Sequence, residues 1–219
     1  RDITHKAGSL LIVSTDPIAM GMFRPPGDYG ADIVVAEGQP LGVPVGFGGP
    51  YIGLFTCKSE YLRQMPGRIV GRTVDHDRRT GYVLTLQTRE QHIRRERATS
   101  NVCTSQALIS LMVTVYLALV GKRGIRRLSE ICYHRAHYAA SLLAKIPGYS
   151  TFSDKTFFKE FVLECPLPVR DINLQLLDSG ITGGLDVSHL VPNGMLLCFT
   201  EQNTRQDIEI LVNTLAEIT

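Results

Sequence analysis

Long apolar runs are missing from this sequence: nowhere do about 18 uncharged apolar residues follow one another, and no membrane span is indicated. The opening stretch, RDITHKAGSLLIVSTDP, has neither an initiator methionine nor the small-residue cleavage pattern of a secretory signal, and reads as a chain entered part-way through a domain. Strong charge is missing too. A formal net charge of +2 is too small to indicate nucleic-acid binding. Cysteine is scarce and odd in number, at Cys57, Cys103, Cys132, Cys165 and Cys198. Most of these lie in apolar runs, which fits reduced core thiols in a cytosolic protein. There is no GxxxxGK[ST] phosphate loop, no HExxH metal motif and no GxSxG nucleophile elbow.

What remains is an ordinary globular composition, 44% hydrophobic and 20% charged over 219 residues. That is enough to bury a core, as one large domain or one domain with a smaller companion. The most distinctive stretch is Glu37 to Gly53, EGQPLGVPVGFGGPYIG. Glycine opens φ > 0 and each of Pro40, Pro44 and Pro50 fixes φ and removes a donor, so a shaped loop is predicted. Apolar runs flank it, ADIVVA before and YIGLFTC after, giving strand, loop, strand. Such a loop suits approach to a ligand or another chain, and equally an inert crossover. Its GFGGP segment has neither dinucleotide-binding spacing nor a following helix.

Along the chain, a helix end closed by Gly8 leads to a strand over Leu10–Ser14, with Asp16 directly after it. Ligand-binding side chains in α/β folds sit at this carboxyl edge, although Asp before Pro17 is also turn chemistry. A crossover with a helical turn or two around Ile18–Met22 precedes a strand at Ile33–Ala36. After the loop come a strand at Tyr51–Cys57 and a helical turn at Glu60–Gln64. RIVGRTV and GYVLTLQ pair as a hairpin around DHDRRTG. Nine arginines fall between Arg63 and Arg97. Arg94, Arg95 and Arg97 have guanidinium forks suited to phosphate or carboxylate, or to a solvated or intersubunit surface.

Helical spacing begins after Cys103, with Leu108, Met112, Tyr116 and Leu119, caps available at Thr99, Ser100 or Asn101, and Gly121 as a stop. This helix is apolar on nearly all sides, as in one packed between layers or subunits. A second, amphipathic helix runs from Ile125 to Ile146. His134 and His137 share a face on it without a third ligand at metal-binding spacing. The remainder is a compact α+β unit: strand Phe157–Cys165, helix Val169–Ser179, strand Met195–Thr200 and helix Arg205–Ile218, capped by Thr204 with Asp207 as its reciprocal acid. A boundary is expected near Gly121, dividing 1–120 from 121–219.

Three stretches, DPIAMGMFRPPGDYGADIVVAEGQPLGVPVGFGGPYIG, MPGRIVGRTVD and TREQHIRRERATSNVCT, jointly resemble the P-protein of the glycine cleavage system, glycine dehydrogenase (decarboxylating). The resemblance covers essentially the whole chain, and is to the subunit 1 type, the N-terminal half of the two-part bacterial form, entered midway. It implies an α/β fold of the PLP-dependent aminotransferase type I class, here part of the large domain plus a small C-terminal α+β domain. In the family, pyridoxal phosphate is carried by a lysine of the other half. Laid onto this chain, that lysine position falls on Gln39, which cannot form a Schiff base. Asp16 corresponds to the aspartate that pairs with the pyridine nitrogen and is vestigial here.

The resemblance further implies a cytoplasmic heterotetramer. Its PLP sits on a lysine-bearing subunit 2, its substrate is glycine, and its aminomethyl group passes to the lipoyl arm of H-protein. Gly48, Gly49, Arg94, Arg95 and Arg97 become cleft or interface residues, and no metal, nucleic acid or membrane is implied. Two other readings stay open: a silent assembly subunit, and an independent PLP enzyme using another lysine. Lys58 is the nearest, but its place at a strand end beside an acidic turn reads as surface.

Overall fold

The computed structural model describes residues 1–98, 100, 102, 106–152 and 155–218. These divide into two compact units, Arg1–Gly121 and Lys122–Thr219.

The first unit opens with a short helix, α1 (Asp2–Lys6), and a strand, β1 (Ile12–Thr15), separated by Gly8 at φ 70°. Two 3-10 turns, Ile18–Gly21 and Pro26–Tyr29, carry the chain to β2 (Ile33–Glu37), which lies parallel to β1. The loop then returns the chain as β3 (Gly53–Cys57), antiparallel to β2, for a sheet order β1-β2-β3. Expected strand limits shift slightly. β1 begins at Ile12 rather than Leu10 because the backbone of Leu11 is spent on Asp32: its N–H donates to the carboxylate and its carbonyl accepts from the Asp32 N–H. The hairpin forms as read, β4 (Ile69–Val74) against β5 (Thr80–Thr85), with Asp75 Oδ1 accepting from the N–H groups of Asp77 and Arg79 in the turn. After it come α2 (Gln91–Arg94) and a 3-10 turn over Arg95–Arg97.

The span α3 (Ala107–Leu143) is two helices joined across a kink at Gly121, whose φ 59°, ψ −178° is not helical, so the first helix stops at Gly121 as expected and a second follows. Ser100 does not cap the first, since its hydroxyl accepts from Val102 N–H, and Thr99, Asn101 and Cys103 lie outside the described residues. By length and composition α3 does meet the criterion for a membrane-crossing helix. Its first helix, which carries no charge, however, stops at Val120, and Lys122 and Arg123 follow Gly121. From Ala107 that is about 21 Å of helix against a hydrocarbon core of about 30 Å.

The second unit has a four-stranded antiparallel sheet, order β6-β7-β9-β8 (Ser150–Thr151, Glu160–Glu164, Gly194–Cys198 and Leu185–Asp186). Two helices, α4 (Val169–Asp178) and α5 (Arg205–Ile218), join the second half of α3 on it. Leu143, Leu163, Ile172, Leu176, Met195 and Leu215 are fully buried in its core. α5 starts where the sequence places it. Asp207 Oδ2 accepts from Thr204 N–H at 2.7 Å, and Thr204 Oγ1 accepts from Asp207 N–H at 3.1 Å. His137 belongs to the packing here, stacked on Phe157 at 4.1 Å with its Nε2 at 3.1 Å from the Phe157 carbonyl. Cys132 and Cys165 are core thiols, but Cys57 is half-buried and Cys198 is exposed at the end of β9, so the reading of core cysteines holds for only two of these four.

Candidate functional site

Because β1 and β2 are parallel and Thr15 pairs with Ala36, both strands deliver their next residues to one edge. Asp16 follows the first strand directly and Gln39 stands two residues past the end of the second. Neighbouring strands are about 4.8 Å apart, so topology alone puts both positions at the same carboxyl edge. Asp16 Oδ1 accepts from Ile18 N–H at 2.8 Å, starting the first 3-10 turn.

Gln39 is held in place by its own loop. Its N–H donates to Glu37 Oε1 at 3.0 Å, and its Nε2 donates to the Val43 carbonyl at 2.6 Å. The loop base is closed by Gly38 N–H donating to the Ile52 carbonyl at 2.7 Å, and Leu41 and Val43 are buried beneath it. Gly42 sits at φ 84° against α3, where a Cβ would lie 2.5 Å from a ring carbon of Tyr116. A side chain there would displace the ring. The tip behaves differently. Gly48 and Gly49 have φ 103° and 143°, and between Gly46 and Gly48 the Phe47 side chain is fully exposed on a left-handed backbone, φ 55°. The hydroxyl of Tyr51 donates to the Val45 carbonyl and ties the tip to its return limb.

The arginine segment forms a second feature. Arg94 ends α2, and Arg95 turns the chain with φ 53°. Arg94 and Arg97, with Ile93 and Glu96, line an open hollow of about 510 Å³. All three arginines are exposed. Their support is Arg89, a residue the sequence reading passed over. Its buried guanidinium donates to the Met65 carbonyl and, at 2.6 Å, to the Gly67 carbonyl, joining the segment to the entry of the hairpin. No periodicity marks such a residue; only its place among nine arginines hinted at more than a solvated run.

A third cluster also escaped the sequence. Asp32, 3% exposed, accepts from Lys58 Nζ at 2.5 Å, lies 2.7 Å from His5 Nε2, and accepts from Leu11 N–H at 2.7 Å. The Lys58 ammonium, then the Leu11 N–H, then His5 hold its carboxyl well below the usual carboxylate range, against the opposing effect of burial. Lys58 is therefore half-exposed and ion-paired rather than simply at the surface. It directly follows β3, at the opposite end of β2 from Gln39, because Ile33 pairs with Cys57.

A covalently held PLP does not fit the edge formed by Asp16 and Gln39. The side chain at position 39 carries an amide, which has no amine to condense and is committed to Val43. Lys58 is committed to Asp32 at the far end of the strand.

Similarity to known proteins is extensive. The chain matches the family described as Glycine cleavage system P-protein over residues 1–215. It is 51% identical over 218 residues to a protein of Thermomicrobium roseum named probable glycine dehydrogenase (decarboxylating) subunit 1, covering 98% of this chain and 49% of that one. A protein of Desulforamulus reducens with the same name is 52% identical over 217 residues, with 98% and 49% covered. The chain thus spans about half the length of the curated relatives it matches. Among solved structures, an inhibitor-bound glycine decarboxylase (P-protein) of the glycine cleavage system superposes with a TM-score of 0.94 at 40% identity, over 99% of this chain and 50% of that chain. The cysteine desulfurase CsdA of Escherichia coli, at 20% identity and a TM-score of 0.66 over 99% of this chain, shares the fold alone. The fold is that of the type I PLP-dependent enzymes, and the chain belongs to the glycine cleavage system P-protein family.

Proposed function

We propose that this chain is part of a glycine-decarboxylating P-protein in which it supports a PLP centre that it does not itself hold. The observation that carries this reading is Gln39: it lies past the carboxyl edge of the same two parallel strands as Asp16, and its side chain is an amide that donates to the Val43 carbonyl. In the complex, PLP on a lysine-bearing subunit serves as the electron sink for decarboxylation of glycine, and H-protein's lipoyl arm receives the aminomethyl group. Residues 1–120 are the C-terminal part of the large α/β domain and 121–219 the small domain of a cytoplasmic assembly.

This chain's contribution is to shape and polarise the cleft. The glycine-rich tip with Gly48 and Gly49 allows close backbone approach to the partner, and Arg94, Arg95 and Arg97 supply positive charge for carboxylate or phosphate. Donors fixed in advance of the reaction stabilise developing charge without reorganising. Reconstitution tests the reading: glycine-dependent carbon dioxide exchange requires a family-length version of this subunit together with the lysine-bearing subunit. Full activity of the lysine-bearing subunit alone overturns it. Unchanged exchange after substitution of Arg94 and Arg97, with loss only on disrupting assembly, favours a silent scaffold instead.

A further inference from the structure

Between Lys122 and Arg135 the chain carries five cations, Lys122, Arg123, Arg126, Arg127 and Arg135, against a single carboxylate, Glu130. The whole chain is near neutral at +2, so this density is local. The helix that follows Gly121 arranges it on one side. At 100° per residue Arg123, Arg127, His134 and Tyr138 fall within an arc of about 60° and form a stripe about 22 Å long. Arg123, Arg127 and His134 are all exposed. Glu130 does not cancel the stripe, because it is shared between two guanidiniums, 3.0 Å from Arg126 Nε and 3.7 Å from Arg127 Nη1.

At the end of the stripe a hollow of about 260 Å³ opens, lined by His134, Arg135 and Tyr138 of this helix and by Arg205 and Ile208 of α5. Its polar groups are already engaged. The Tyr138 hydroxyl donates to Glu209 Oε1 at 2.8 Å, Arg205 Nε donates to the same oxygen at 2.7 Å, and the Arg205 guanidinium carbon stands 5.5 Å from the centre of the Tyr138 ring. Arg135 Nη1 donates to the carbonyls of Thr200 and Glu201. What the hollow offers a visitor is therefore ring and aliphatic carbon, with Ile208, 1% exposed, at its floor and positive charge around it. It is smaller than the roughly 300–1,000 Å³ of a small-molecule site and matches one large side chain.

We propose that the basic stripe and the hollow together are a docking site for an acidic segment of another protein, with carboxylates along Arg123 and Arg127 and one large apolar side chain seated against Tyr138 and Ile208. Charge complementarity selects the occupant, and the hollow sets its anchor. An extended segment of about seven residues spans the stripe. A small free acid meets only one end of it. An apolar anchor in a pocket supplies affinity, while the surrounding charge supplies steering and register. The inference is independent of the role of Gln39. An anionic lipid surface and a second copy of this chain are the competing occupants.

The test is a nitrogen-15 NMR titration of this chain with two glutamate peptides of about seven residues, one with a central phenylalanine and one with a central serine. The phenylalanine peptide is expected to shift the amides of Tyr138 and Ile208 and to bind about tenfold or more tighter than the serine peptide. Arg123→Gln with Arg127→Gln weakens it by about tenfold at unchanged helical circular dichroism, while Arg78→Gln with Arg79→Gln in the exposed hairpin turn leaves it unchanged. Equal affinity for the two peptides, equal effects of the two double variants, or shifts confined to other residues overturn the proposal. So does tighter binding to phosphatidylserine vesicles than to the phenylalanine peptide, or dimerisation of this chain that the Arg123 and Arg127 substitutions abolish. None of these readouts involves PLP or turnover, so failure here is distinguishable from failure of the proposed function.

Discussion

Lys58 Nζ lies 2.5 Å from Asp32 Oδ1, which joins the end of β3 to the start of β2 through a carboxylate that is almost wholly buried. The pair fixes the sheet register at the end opposite the candidate site. It has a consequence for acid stability, because the carboxyl is held well below its ordinary value of 3.8. A depressed carboxylate stabilises the fold above the unfolded pKa, and that stabilisation is lost as pH falls through the region below about 4 toward the folded pKa. Urea midpoints of the wild type and Asp32→Asn should therefore differ widely at pH 6 and converge toward pH 2. A constant gap across that range contradicts the assignment.

Stability should be carried unequally by the two units. Leu163 is fully buried in the second unit, and Leu163→Ala is expected to cost about 2–5 kcal/mol. Leu111 is 58% exposed, and Leu111→Ala in the same chain should cost less than about 1 kcal/mol. Chemical denaturation of the two variants checks the contrast.

The cap of α5 offers a local test. Thr204 and Asp207 exchange hydrogen bonds across the first turn, and the Thr204 hydroxyl and N–H, both donating to the Asp207 carboxylate, lower its pKa. Thr204→Ala should destabilise the chain by about 1 kcal/mol, and Thr204→Ser should restore most of it. Thermal melts of the two variants provide the comparison.

Thiol chemistry should separate the cysteines. Burial pushes the Cys132 and Cys165 thiols up to about 11, with Glu201 adding to the effect at Cys132. At pH 8 iodoacetamide should modify exposed Cys198 first and leave Cys132 and Cys165 untouched until the chain unfolds. Peptide mass spectrometry reads the order directly.

The parts of the fold legible in the sequence are those with local causes. The hairpin around Asp75 and the start of α5 at Thr204 are written in turn and cap chemistry a few residues wide. Residues that act across the chain were not legible. Asp32 gathers His5, Leu11 and Lys58 from two other segments, which moved the start of β1 and gave Lys58 a partner. Gly121, by contrast, was legible: its φ 59° interrupts the helix where the sequence placed the stop. At the candidate site the sequence singled out Asp16 and Gln39, and parallel strand pairing puts both positions past the same edge of the sheet. The bond from Gln39 to Val43 had no signature beforehand.

Gln39 is also where the account is most exposed to refutation. Borohydride reduction of the complex reconstituted from a family-length version of this subunit, the lysine-bearing subunit and PLP, followed by peptide mapping, measures which lysine held the cofactor. The label is expected on the partner subunit alone, with no reduced lysine in any peptide of this chain. A pyridoxyl-lysine within this sequence, at Lys58 or elsewhere, contradicts it.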